Sequence, residues 1–173
     1  NADFSDQTRS VINITNDQSN AERINRWKCA WRMFREKPIT GFGPGTYQFS
    51  YFPFQREKEM TRISVTSPYN IEEGKGGTAH NEFLLVLAES GTGAAFSFIA
   101  MVLLTFMYAI RICHTSTDDF MPVAMLLAFT TFVIHSLFNN FLDTDKTAAL
   151  FFTGMAYFAA KSRTHKFKPG HVS

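Results

Sequence analysis

The chain has 173 residues, a formal net charge of +2 and 18% charged side chains, values that exclude a disordered polyelectrolyte and a nucleic-acid binder that works by bulk positive charge. The averages conceal a division: residues 1 to 80 hold 20 of the 32 acidic and basic side chains, whereas 91 to 110, 120 to 142 and 147 to 160 hold none. This pattern predicts an all-α membrane protein, with a polar half (1-80) joined to a membrane half (81-160) and closed by a basic tail (161-173). The chain opens on Asn1 without the basic, apolar and small-residue succession of a signal peptide, so it reads as a fragment of a larger polytopic bundle. Cys29 and Cys113 fall on opposite sides of the first apolar segment, which argues against a disulfide and for two packing residues.

In chain order, the first element is a helix over about 20-37. Ser19 with Glu22 is a capping-box signature, and Pro38 stops the run. Advancing about 100° per residue from Arg23 places Trp27, Ala30, Trp31 and Phe34 on its side, Arg26 at the edge of that stripe, and Lys28, Arg32 and Arg35 pointing away. An arginine heading an aromatic stripe must find an anion, a carboxylate or a ring face. The bland alternative is a guanidinium packed on tryptophan or paired with a glutamate. Next, Gly41, Gly43, Pro44 and Gly45 predict a tight turn. The aromatics from Tyr47 to Phe54 then read either as a segment at the lipid headgroups or as packing against the helix. Gln55 to Thr78, charged and then Gly-rich, reads as a mobile loop.

Three spans follow, over about 83-112, 120-142 and 147-160. A bilayer core of about 30 Å needs roughly 20 helical residues. The first two satisfy this, and the third is short at about 21 Å, with Lys146 and Lys161 placed to snorkel from its ends. The tail "KSRTHKFKPGHVS" carries four Lys and Arg and is expected in the cytoplasm, which puts residues 1-80 and the turn "DTDK" outside and "RICHTSTDD" inside. The eleven Lys and Arg of residues 1-80 count less, because long segments translocate regardless of charge. With that topology His80 sits near the outward N-terminus of the first span, where the positive end of the helix dipole disfavours imidazolium and attracts anions.

The stretch "ERINRWKCAWRMFREKPITGFGPGTY", with arginine four positions before tryptophan and proline before Gly-x-Gly-x-Gly, resembles the first motif of the O-antigen ligase and O-antigen polymerase family. "AHNEFLLVLAESGTGAAF" is similar to its second motif, His-Asn at the mouth of a membrane helix followed by Glu-x-Gly-x-Gly. "HSLFNNFLDTDKTAALFFTGMAYF" resembles its closing pair of spans. The resemblance covers most of 19 to 160, as the rear portion of such a protein, and each motif gains its specificity from the order and spacing of all three.

The resemblance implies a bacterial inner-membrane, multi-pass glycosyltransferase working on the periplasmic face. Its donor is a glycan on undecaprenyl diphosphate, its acceptor a hydroxyl of lipid A-core or of another glycan or protein, and it uses no cofactor, nucleotide sugar or metal. The upstream transmembrane helices of the same protein and membrane lipid are the other partners. By position the essential arginine falls on Arg23 and the essential histidine on His80; Arg26, which has no clear counterpart in the motif, is added as an auxiliary candidate. His80 is then expected to take the proton from the acceptor hydroxyl as it attacks the anomeric carbon with inversion, while Arg23 and Arg26 neutralise the departing diphosphate. Trp27 and Trp31 are expected to hold the prenyl chain or a sugar face, Asn81 to bond a hydroxyl, and Glu82 and Glu89 to line the cleft.

Other signals carry less. Asp143-x-Asp145 resembles a metal-binding carboxylate pair but fits a turn between spans. "EGKGGT" lacks P-loop spacing, and Asn13-Ile14-Thr15 is a glycosylation sequon of little weight in a bacterial chain. His135 inside the second span fits a polar contact with Ser136, Asn139 and Asn140 better than a relay. His114, His165 and His171 suggest no site. The alternatives are a polymerase or a protein O-oligosaccharyltransferase of the same superfamily, a transporter sensitive to His135, and a non-catalytic membrane module indifferent to both histidines.

Overall fold

A computed structural model describes residues 18-66, 77-116 and 119-166; the Asn13 sequon, residues 74-76 of the Gly-Lys-Gly-Gly stretch and the basic tail beyond 166 lie outside them. The described residues are helical, without a strand. In order they form α1 (Gln18–Glu36), a short α2 (Tyr47–Ser50), two single 3-10 turns (Phe52–Phe54 and Glu57–Glu59), α3 (Glu82–Thr115), α4 (Met121–Ser136) and α5 (Asp145–Lys166). They divide into two compact units, residues 1 to 95 and 96 to 173.

The first unit is organised by α1. Its core is Cys29, Ala30, Met33, Tyr47, Tyr51, Val65, Ala79, Leu85 and Ala88, with Phe42, Phe52, Phe54 and Leu84 packed around it. Tyr47 and Tyr51 stack with centroids 5.2 Å apart, so these aromatics pack against the helix, and Phe49 is the one left exposed. Glu22 lies within α1 and spends its carboxylate on other side chains, so the expected reciprocal capping box is not made.

Residues 55-66, expected as mobile loop, are instead fastened to α1. Gln55 accepts from Asn25 and donates to the Val65 carbonyl at 2.8 Å. Arg32 donates to the Phe54 carbonyl at 2.8 Å and also binds Glu59. The contacts are made by polar side chains, which is why a hydropathy pattern does not disclose them. The remainder of that expected loop, 67-76, is outside the described residues.

The turn after Pro38 meets α3 at a break in that helix. Gly91 adopts φ 74, ψ −170, outside the space open to L side chains. In an unbroken helix the Ala88 and Glu89 carbonyls would accept from residues 92 and 93. Here they accept the N–H groups of Phe42 and Gly43 at 3.1 and 2.7 Å, and the released Thr92 N–H donates to the Pro38 carbonyl at 2.8 Å. The backbones come so close that a Cβ on Gly41 would lie 2.3 Å from the Glu89 carbonyl carbon, and one on Gly91 2.2 Å from the Ile39 oxygen.

α3 is the one described helix long and apolar enough to cross a membrane; from Thr92 to Thr115 it rises about 36 Å. In the second unit α4 and α5 pack through phenylalanines. Phe129, Phe151 and Val102 form one cluster, with Phe129 and Phe151 stacked at 5.3 Å, and Lys161 near the end of α5 pairs with Asp119 before α4. α4 is a shorter apolar helix that ends at Ser136, six residues before the expected span boundary, because the chain turns through 137-139. α5 is longer than the apolar run 147-160. His135 is exposed and meets the Phe141 ring edge at 6.1 Å, while the Ser136 hydroxyl bonds back to Phe132, so the expected polar cluster at His135 does not form.

Gly45 and Gly91 share φ 74, but a Cβ on Gly45 meets nothing within 4 Å. Gly45→Ala is therefore expected to cost only the conformational penalty, about 1–2 kcal/mol, while Gly91→Ala adds a backbone clash and should lower the melting temperature of the detergent-solubilised protein at least twice as far. Equal shifts would mean that the helix break is not held by this close approach.

Candidate functional site

The inward face of α1 carries Glu22, Asn25, Arg26, Cys29, Ala30 and Met33, the three-and-four spacing of one helix side. The buried arginine is thus Arg26, 7% exposed, and not Arg23, which is half-buried and donates to the Asn20 carboxamide at 3.2 Å. A guanidinium out of water needs a carboxylate and filled donor positions. Glu22, one turn earlier, accepts from Arg26 Nε at 3.0 Å, and Arg26 Nη1 donates to the Thr78 carbonyl at 3.1 Å. The second Glu22 oxygen accepts the hydroxyls of Thr61 and Ser64. The Tyr51 ring lies 5.3 Å from the guanidinium carbon, and the Tyr47 hydroxyl donates to the Arg26 carbonyl at 2.8 Å. Burial raises both phenols, Tyr47 well above its usual range and Tyr51 to about 12 against the pull of Arg26. Burial likewise lifts the Cys29 thiol to about 11, which makes it unreactive.

This cluster positions the segment that carries His80. Arg26 holds the Thr78 carbonyl, the Thr78 hydroxyl accepts the His80 N–H at 3.3 Å, and the Trp27 indole N–H donates to the His80 carbonyl at 3.1 Å. His80 takes φ 52, uncommon for a residue with a Cβ, and the chain turns there into α3. Asn81 starts the helix: its side-chain oxygen accepts the Leu84 N–H at 2.9 Å and its carbonyl the Leu85 N–H at 2.9 Å, an N-cap. The Asn81 oxygen expected to bond a substrate hydroxyl therefore serves the helix. The imidazole is half-buried and its pKa is lowered, by burial first, then by Arg26 and Arg23, with Glu22 opposing. Both guanidiniums are near enough to disfavour a second positive charge.

The two glutamates are buried. Glu82, 2% exposed, lies in the first turn of α3. Glu89 accepts the Gly45 N–H at 2.9 Å and the Tyr47 N–H at 2.8 Å, so it clamps the glycine turn where a cleft-lining role was expected. The structure brings Arg23, Arg26, Trp27, His80 and Asn81 together. Sequence reading missed Glu22 as the partner of Arg26, although a glutamate four residues before an arginine is a recognised helical pair. It also missed Thr78, Ser64 and Tyr51, which no spacing rule marks.

Residues 2–99 match the family model described as O-antigen ligase, more than half of the chain. The chain belongs to the O-antigen ligase family. Both glycine motifs, the Arg26 cluster and His80 lie inside the match, whereas α4 and α5 lie beyond it. No curated protein and no solved structure matches the chain. An O-antigen ligase family member is a membrane enzyme of the ligase and polymerase type, and α3 supplies a membrane-capable helix.

Along the other side of α1, this O-antigen ligase family member has an open groove of about 490 Å³ lined by Trp27, Trp31, Arg32, Arg35 and Arg56 among others. Trp31 is half exposed there and contacts Phe34 at 5.3 Å. The stripe thus separates, with Ala30 in the core and Trp31 on the outer face beside the cations that were expected to point away from it.

Glu22→Gln leaves Arg26 buried without a carboxylate, which costs about 3–5 kcal/mol. Lys28→Ala, which breaks the half-exposed pair to Glu59, should cost under about 1 kcal/mol. Thermal melting of the two variants in detergent checks this, and similar melting points would refute a structural role for the Glu22–Arg26 pair.

Proposed function

We propose that this protein is a glycosyltransferase that moves a glycan from undecaprenyl diphosphate to an acceptor hydroxyl on the periplasmic face of the bacterial inner membrane, as O-antigen ligases do. The observation that carries this reading is His80, an uncharged, half-buried imidazole before the N-cap of a membrane-capable helix, with two guanidiniums within electrostatic reach.

His80 accepts the proton of the acceptor hydroxyl. The oxygen attacks the anomeric carbon, the bond from that carbon to the diphosphate oxygen breaks, and the electron pair leaves on undecaprenyl diphosphate with inversion. Arg23, whose described partner is the neutral Asn20, pairs with the diphosphate. A guanidinium binds phosphate oxygens bidentately and keeps its charge. Arg26, already committed to Glu22 and Thr78, acts as a positioning residue for His80 and adds field. Trp27 fixes the His80 carbonyl. Residues 1-80 and the mouth of α3 are outside in this reading, and the basic tail is inside.

The pH dependence follows from the depressed His80 pKa. An ordinary histidine is half protonated near 6.5; here the neutral base persists to lower pH, so the acid limb of transfer is expected to have its midpoint below that of an ordinary histidine. The same depression means that the unfolded chain binds the proton first on acidification, so His80 contributes stability above its unfolded pKa that is lost as pH falls through the folded one.

In the full-length protein at matched membrane abundance, His80→Ala is expected to lower glycan transfer about 10²–10⁴-fold, Arg23→Ala to reduce it strongly, and His114→Ala to leave it unchanged. Wild-type rates in the His80→Ala or Arg23→Ala variant would defeat the assignment, as would an acid limb at or above pH 6.5.

A further inference from the structure

The outer groove on α1 has a composition that holding His80 does not require. Lys28, Trp31 and Arg35 recur along the side of the helix opposite the Glu22–Arg26–Met33 face, and the 3-10 turn at Glu57–Glu59 brings Arg56 and Glu59 to the same concavity. Four cations therefore face one carboxylate. Glu59 is taken by Lys28 at 3.3 Å and by Arg32. Arg35 and Arg56 are exposed and, among the described residues, their guanidiniums make no hydrogen bond or ion pair. Between these charges stands the half-exposed indole of Trp31.

Unpaired guanidiniums beside a bare indole match one ligand chemistry. The fork of arginine fits a phosphate or carboxylate, and a flat aromatic face fits the C–H side of a pyranose ring. We propose that this groove is the acceptor subsite of the transferase and that it takes an anionic saccharide, whose phosphate or carboxylate groups pair with Arg35 and Arg56 while a sugar ring lies on Trp31. The inference rests on the transferase reading, because Trp27, which lines the groove, also holds the His80 carbonyl. A phosphate could equally come from a lipid headgroup. The saccharide is favoured because the aromatics line a concavity of about 490 Å³, within the range of small-ligand sites, whereas a segment lying on a bilayer presents a protruding apolar face.

The test uses full-length protein in detergent. With a phosphorylated oligosaccharide acceptor, Arg35→Ala/Arg56→Ala is expected to raise acceptor KM about tenfold or more, with kcat and donor KM held within about twofold. With the same acceptor stripped of phosphate, wild type should show the raised KM and the double variant should change nothing further. A second arm needs no catalysis. Wild-type protein without donor is titrated with the lipid-free phosphorylated oligosaccharide and, separately, with phosphatidylglycerol–phosphatidylcholine vesicles while tryptophan fluorescence is followed. Saturable quenching by the oligosaccharide, reduced in Trp31→Phe and in the double variant, supports the subsite even if His80 proves not to be the base. An unchanged acceptor KM in the double variant, or quenching by the vesicles alone, overturns it.

Discussion

The structure depends on two backbones that touch. Gly41 lies against the Glu89 carbonyl and Gly91 against the Ile39 carbonyl, each closer than a Cβ permits. The exchange of hydrogen bonds at that contact explains why two glycine-containing motifs, far apart in sequence, belong to one device. Breaking α3 at Gly91 releases the Ala88 and Glu89 carbonyls, and the turn after Pro38 supplies the N–H groups that satisfy them. A buried carbonyl without a donor would cost a few kcal/mol, so neither break nor turn is stable without the other. Glu89 strengthens the join by accepting two N–H groups of the turn with its carboxylate. The N-terminal turns of α3, and with them Asn81 and His80, are thereby fixed against the end of α1.

That fixing lets two arginines a turn apart do different work. Arg26 is buried, and each described polar contact it makes is structural: Glu22, the Thr78 carbonyl, the Tyr51 ring. Arg23 faces partly outward with a neutral partner. The buried charge is tolerated because Glu22 is compensated in turn by Thr61 and Ser64; a half-satisfied pair would destabilise the unit. Its field, added to burial, lowers the pKa of the neighbouring imidazole and so favours the neutral form. A base and an anion site ordinarily conflict, since the cations that hold an anion also oppose protonation of the base. In the transferase proposed above the opposition is useful, because the base must be empty before the acceptor arrives.

The sequence disclosed elements better than facings. Pro38, the three glycines and the long uncharged run after Gly91 are strong local signals, and the helix ends, the turn and the membrane-capable segment follow them. The side of α1 that turns inward is not the aromatic stripe headed by Arg23, which the spacing sets apart from the solvated Lys28, Arg32 and Arg35 and which is expected to meet the substrate. The true inward face holds Glu22, Asn25 and Arg26, polar groups that bond one another and so are indistinguishable from a solvated face in a hydropathy pattern. Residues 55-66 were misread for the same reason. Glu89 was recognised as important, but its partners are backbone N–H groups of a distant turn, which side-chain patterning does not reveal. The motif resemblance singled out His80 where physical signals alone favoured a merely structural histidine.

The second unit shows what solvent the chain is made for. Phe96, Met107, Leu127 and Leu150 are each more than 60% exposed on α3, α4 and α5, a density of bare apolar side chains that a soluble surface does not sustain. Lipid or further helices must cover them. In the sequence, charged residues stop at Glu89 and do not resume until Arg111, and the helix break at Gly91 falls at the start of that interval. The donor proposed above, a polyprenyl tail on a diphosphate, has the same division, apolar for most of its length and charged at one end. In that proposal its diphosphate is met by guanidinium where the chain changes from polar to apolar composition. His80, Arg23 and Arg26 lie on the polar side of that change, and the contact between Gly41 and Glu89 holds the α1 end and the mouth of α3 together there.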